Sequence, residues 1–232
     1  MYKNVNFKLD EMKTVVFLVL LLPVIGFSQR VELPIEFYRN SLNANQLSNK
    51  QYQGNPYLNE EFVEGKITVD NELNYKKQLR YNAYSDIFEL RGDDNQINAL
   101  LRSTNVTVLI DNSLFALNDY LLNNAIKEGY FEKLNRNGKT ILLKQYSKKF
   151  IDVVKAKSSY QSDSPAKFVL DKSYFIKKNE VSPAIKIILK KKNILSVLND
   201  KEILIKEYIS KNKLNLKNEQ DVVQLFDYYN SL

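Results

Sequence analysis

The sequence predicts an α+β protein. An antiparallel β-sheet domain, built as a roll, sandwich or open barrel, is followed by a small α+β unit of three strands and C-terminal helices. Two observations carry this expectation. From Phe62 to Leu90 the chain reads FVEGKITVDNELNYKKQLRYNAYSDIFEL, three alternating runs divided by turn residues, which is the period of half-buried strands. After Asn199 the apolar residues recur every three or four positions, which is the period of helices. The expected divisions are an N-terminal extension and signal peptide over 1–28, a flexible arm over 29–54, a β-domain over 55–156, a linker over 157–165 and a small α+β domain over 166–232.

Each element has its own signal. Gly54-Asn55-Pro56-Tyr57 opens the first domain as a turn. Phe62–Val69 alternates, Asp70-Asn71 turns, Leu73–Tyr84 forms a second run, and Asp86 breaks it before Ile87–Leu90. Gly92–Asn95 is a turn, and Ile97–Leu101 reads as a short strand or one helical turn. Val106–Ile110 is β-branched, and Asp111-Asn112-Ser113 turns it into Leu114–Leu117. Leu121, Leu122, Ala125 and Ile126 have helical spacing in an Asn-rich setting, so 118–127 reads as a long loop with a helical turn. Asn137-Gly138 lies between two apolar runs and predicts a hairpin, since both residues tolerate positive φ. Phe150–Val154 continues the second of these strands. The Ser-rich stretch KSSYQSDSP follows as the linker. Beyond it come Phe168–Leu170 and Tyr174–Ile176, divided at Asp171-Lys172-Ser173, and then Ala184–Leu189. A short helix is expected over 193–198. Asn199 and Glu202 form a capping box for a helix burying Ile203, Leu204, Tyr208 and Ile209. Asn218 caps the last helix, whose apolar face carries Val222, Phe226 and Tyr229.

Met12-Lys13 precedes an apolar run of about 14 residues, Thr14–Phe27, and Gly26-Phe27-Ser28 puts small residues three and one before a cut ahead of Gln29. This is the pattern of a secretory signal peptide starting at Met12. The run is shorter than the ~20 apolar residues a membrane span needs, so no span is expected after its removal. Exported proteins without cysteine fit bacteria better than eukaryotes, whose secreted domains favour disulfides. The expected location is a bacterial periplasm, the outer membrane or the exterior.

Composition narrows the chemistry. The chain is 44% hydrophobic and 26% charged, so a packed core is within reach and wholesale disorder is not expected. Among 232 residues there is no Cys and no His. That removes thiol nucleophiles, imidazole bases, Ser-His-Asp triads and thiolate or imidazole metal sites. No glycine-rich phosphate loop is present, and no cofactor is expected. Charge is segregated: residues 29–138 hold 12 basic and 15 acidic groups, whereas residues 139–217 hold 19 basic and 7 acidic. A basic region attracts anionic polymers or lipids, and export argues against nucleic acid.

Two surfaces are the candidate ligand or partner sites. Tyr75, Tyr81 and Tyr84, with Arg80 and Asp86, offer aromatic faces and charges for a glycan or peptide groove. Cross-strand packing explains the same residues, and alternation puts Tyr81 and Tyr84 on opposite faces. Lys186, Lys190, Lys191 and Lys192, with Lys177 and Lys178, offer an anion-binding face, or a solvated edge that discourages aggregation. Arg91-Gly92-Asp93 and Asp93-Asp94-Asn95 suit a turn better than an integrin or calcium site, because the calcium-loop pattern is absent.

Asn55–Phe62 (NPYLNEEF), Leu79–Asp86 (LRYNAYSD), Gly129-Tyr130-Phe131, Lys211–Leu214 and Tyr228–Leu232, with a signal peptide ending Phe-Ser-Gln, resemble a group of exported Bacteroidota proteins without assigned activity. The resemblance implies an envelope location and a β-domain followed by an α+β tail. It transfers no catalytic residue, and this chain departs from it by a longer polar stretch at 118–127. The expected function is a non-enzymatic binding or adaptor protein of a bacterial envelope, in one form an accessory to an outer-membrane complex. Its partner would be another envelope protein, an anionic polymer or a lipid surface. The alternative is a β-domain carrier of a small apolar or glycan ligand. A carboxylate-based hydrolase ranks last, since no spacing indicates a pair of acids facing one cleft.

Overall fold

The computed structural model describes residues 32–40, 52–92, 94–135, 138–156 and 162–232. The expected signal peptide lies outside them, as do Asp93, Asn137 and residues 157–161 of the expected linker. Residues 33–232 form one compact unit. Its strands are β1 (Tyr38–Asn40), β2 (Tyr52–Gln53), β3 (Val63–Val69), β4 (Leu73–Asn82), β5 (Ile87–Arg91), β6 (Ile97–Leu100), β7 (Val106–Ile110), β8 (Ser113–Leu122), β9 (Ala125–Lys133), β10 (Ile141–Ile151), β11 (Ala166–Lys177) and β12 (Ile185–Ile187). Three helices follow: α1 (Lys191–Val197), α2 (Glu202–Lys211) and α3 (Glu219–Ser231). The fold is thus α+β, a β-sheet followed by C-terminal helices.

All the strands belong to one sheet, ordered β1-β6-β5-β4-β3-β7-β8-β9-β10-β11-β12, with β2 added in parallel to β11. Left-handed turn residues set the hairpin registers. Asp111 (φ 48°) and Asn112 (φ 65°) join β7 to β8, and Asp70 (φ 52°) and Asn71 (φ 61°) lie in the β3–β4 loop. Asn and Asp tolerate this region because their short side chains bond locally.

The sheet curls in both directions. Tyr81 on β4 and Phe88 on β5 meet Phe115 on β8 and Tyr130 on β9, with ring centroids 5.0–6.3 Å apart. These strand pairs are separated in the sheet by β3 and β7, so the contacts require one face to close on itself. The larger core, with Ile67, Leu79, Leu90 and Val108, fills that roll. On the opposite face, the Ala184 N–H donates to the Asp119 carbonyl (2.8 Å) and Ala184 accepts from the Leu121 N–H (2.9 Å). That link brings the start of β12 back to β8, so β8–β12 ring a small core of Phe131, Leu143, Phe175 and Ala184. Ile194, Ile205, Ile209, Val222, Leu225 and Phe226 of the helices cover Leu142 and Ile176, forming a third core.

Several expectations need correction. Residues 118–127 form the β8–β9 hairpin, with Asn123 (φ 51°) and Asn124 (φ 61°) as its turn between the paired Leu122 and Ala125. The expected Asn137-Gly138 two-residue turn is a longer connection: pairing between β9 and β10 is confined to Leu143↔Lys133 and Lys144↔Glu132. Gly138 is left-handed (φ 101°), and the Asn135 amide spans the connection, donating to the Thr140 carbonyl and accepting from the Leu142 N–H. Asp171-Lys172-Ser173 does not divide a strand, because β10 pairs with β11 from Ile141↔Lys177 to Ile151↔Lys167. On either side of residues 157–161, Val154 and Ser164 form an isolated antiparallel bridge beyond the ends of β10 and β11.

Parts of the expected flexible arm are integrated too. Leu33 is buried in the larger core, β1 pairs with β6, and β2 pairs with β11. The capping box at Asn199 is absent. Residues 199–201 make a 3-10 turn, and α2 starts at Glu202 without a side-chain cap. That shift rotates α2, so Ile205 and Ile209 are buried while Ile203 is 82% exposed. Asn218 does cap α3, accepting from the Asp221 N–H.

Candidate functional site

A polar layer joins the larger core to the helical one. Strand alternation puts Glu132 of β9 beside Tyr130, and Lys144 of β10 between Leu142 and Tyr146. The Lys144 ammonium contacts Glu132 (2.8 Å) and Glu219 (2.9 Å), which opens α3. Ser113 and Tyr146 donate to Glu132 at 2.6 and 2.7 Å, and Tyr174 donates to Glu219 at 2.7 Å. Burial alone would raise the Glu132 pKa, but the bonds from Lys144, Ser113 and Tyr146 outweigh it and hold the carboxyl below its usual range. Burial and the Glu132 charge push the Tyr146 phenol up to about 12. Every member has a partner, so the cluster fastens the helices to the sheet.

A second polar junction surrounds Asp86. It accepts from the Tyr81 hydroxyl (2.6 Å), the Arg102 guanidinium (3.0 Å) and the Tyr130 N–H (3.1 Å). Burial raises its pKa, against the opposing pull of these donors. It ties the β4–β5 turn to β9 and to the loop before β7. Among the described residues, no group of three or more acidic side chains converges as a metal site.

The structure separates the tyrosines proposed from sequence. Tyr75 and Tyr81 are buried in the larger core, and Tyr84 is exposed beside Phe168. Arg80 bonds Glu89 (2.7 Å) and the Tyr57 hydroxyl (2.7 Å), lying over the Tyr57 and Phe62 rings. These residues therefore do not form one groove.

The four lysines are all exposed, within one short stretch of the chain. Lys186 lies exposed on β12, Lys190 precedes α1, and Lys191 and Lys192 occupy its first turn. Cations oppose the helix dipole there, at a cost of roughly 0.3–1 kcal/mol each. Apolar side chains stand exposed in the same stretch: Val181 (95%), Ile185 (58%) and Ile188 (57%). The link through Ala184 sets Ile185 beside Leu121, whose cross-strand neighbour Ile126 is 65% exposed.

A cleft of about 400 Å³ opens where the β9–β10 connection meets the end of β11, the 199–201 turn and the end of α3. Sequence reading placed only one of its lysines, Lys178, in a candidate surface. Lys139, Lys201 and Tyr229 were missed because no local pattern links positions so far apart. No protein-family model, curated protein or solved structure matches the chain.

Proposed function

We propose that the chain is an exported, non-enzymatic binding or adaptor protein that docks peripherally on an anionic lipid surface of a bacterial envelope. The observation supporting this reading is the stretch from Val181 to Lys192, where exposed Ile185 and Ile188 alternate with Lys186 and Lys190–Lys192. Apolar side chains entering the headgroup boundary and lysines facing anionic headgroups are the two halves of interfacial binding. Each lysine near such a surface contributes roughly 1 kcal/mol, so four together supply about 4 kcal/mol. No helix among the described residues is long and apolar enough to cross a membrane. A carrier of an apolar or glycan ligand would have to displace Tyr81, Phe88, Phe115 and Tyr130, whose rings occupy the roll.

Vesicle flotation tests the proposal, using the chain from Gln29. It floats with phosphatidylglycerol vesicles and stays behind with phosphatidylcholine. Both the K190E/K191E/K192E and the I185S/I188S variants lose flotation. Equal flotation on neutral vesicles, or none on anionic ones, overturns the proposal.

A further inference from the structure

We propose that the cleft between the β9–β10 connection and the end of α3 binds a phosphate group, carried by a phosphosugar or by a free phosphate anion. This site is separate from the lysine and isoleucine surface and does not depend on it. Three lysines, Lys139, Lys178 and Lys201, line this concavity. Among the described residues, no salt bridge neutralises any of them. The one acid in the lining, Asp200, accepts the Tyr229 hydroxyl with both oxygens at 3.0 Å. Its carboxylate is therefore committed to a neutral donor, and Lys201 lies over the Tyr229 ring at 5.5 Å. Converging cations repel one another unless an anion enters between them. Lysines act as compact point charges, a common way of holding the concentrated charge of a phosphate.

The floor of the cleft is built rigidly. The Thr140 N–H donates to the Asn230 side chain (3.1 Å), and the Asn230 amide donates back to the Thr140 carbonyl (2.8 Å). At Gly138 an added Cβ would run into the Asn230 side chain, so the connection can lie against α3 only without one. The Tyr229 ring lines the same cleft, with Lys201 over its face and Asp200 on its hydroxyl.

Titration calorimetry on the full chain at low ionic strength tests the site, with pyrophosphate, glucose 1-phosphate and glucose as probes. Both phosphates are expected to bind one per chain, and glucose not at all. Tighter binding of glucose 1-phosphate supports a phosphosugar, and tighter binding of pyrophosphate supports a free anion. K139Q/K178Q lowers affinity at least about tenfold, because two of three facing charges are gone. D200N raises it several-fold by removing the opposing charge. K190Q/K191Q/K192Q, outside the cleft, changes it less than twofold, and circular dichroism confirms that each variant is folded. No heat with either phosphate, or equal losses from the cleft and α1 lysines, overturns the proposal.

Discussion

Lys144→Met removes the cation shared by Glu132 and Glu219, and its effect follows from the burial of the three groups. The Lys144 side chain is 7% exposed and that of Glu132 12%, whereas Glu219 is one-third exposed. Methionine fills the space of the lysine stem, so the loss is electrostatic. Removing one partner of a buried ion pair costs about 3–5 kcal/mol, because the remaining charge stays buried. Glu132 keeps the Ser113 and Tyr146 hydroxyls as donors, and Glu219 keeps Tyr174 and partial solvent, which places the cost near the low end, ~3 kcal/mol. With a urea dependence of about 2 kcal/mol per molar, the unfolding midpoint falls by roughly 1.5 M. The loss depends on pH in a defined direction. Without Lys144, the first of the bonds lowering the Glu132 pKa is gone, so its folded-state pKa moves up and the cost of the charged carboxylate shrinks as pH falls. The double variant K144M/E132Q recovers much of the loss, since the more deeply buried of the two carboxylates is neutral and Glu219 is partly solvated. Urea unfolding followed by circular dichroism at pH 7 and pH 4.5 reads all of these effects. A midpoint shift below 0.5 M at pH 7, or a double variant as unstable as the sum of the singles, would refute the assignment of the cluster as a coupled, buried ion network.

Other perturbations separate the remaining claims. Gly138→Ala lowers stability by about 1–3 kcal/mol through positive φ and collision with Asn230, and by less in an Asn230→Gly background where the colliding side chain is gone; urea midpoints give both values. Asn124→Gly leaves the β8–β9 hairpin intact and raises the melting temperature by a degree or more, since glycine meets its φ of 61° at lower cost, roughly 0.5 kcal/mol. Phe131→Ala empties the centre of the small core and costs about 3–5 kcal/mol, readable as a lost near-ultraviolet signal and a lowered midpoint. Glu132→Gln flattens the acid limb of stability: the depressed pKa makes the native carboxylate stabilising above its unfolded pKa, a contribution lost as pH falls through the folded one.

Local signals in the sequence were good guides where one residue pair decides the geometry. Asp70-Asn71 and Asp111-Asn112 announce left-handed turns, and Asn218 announces a helix start, because each acts on its own neighbours. The Asn123-Asn124 turn has the same chemistry but was masked by Leu121, Leu122, Ala125 and Ile126, whose spacing imitates a helix. Asp171-Lys172-Ser173 reads as a break in isolation, yet lies opposite Gln145, Tyr146 and Ser147 of β10, whose ladder holds it extended. Propensity there yields to a partner strand. Alternation identified Tyr75 and Tyr81 as strand residues but could not say which face closes inward, since that follows from a curl spanning β4 to β9. The lysines of the cleft come from separate elements, so only the fold brings them together.

The clasp between Thr140 and Asn230 has a temporal consequence. The two residues stand 90 positions apart, and a ribosome delivers them in that order. Until Asn230 arrives, the Thr140 amide lacks its partner, the Thr140 carbonyl has only the Asn135 amide, and the cleft beside Lys139 and Lys178 lacks its α3 side. Hairpins such as β8–β9, whose partners are near in sequence, can form well before this point. The cleft therefore forms only after α3 has been made, later than the hairpins that line it.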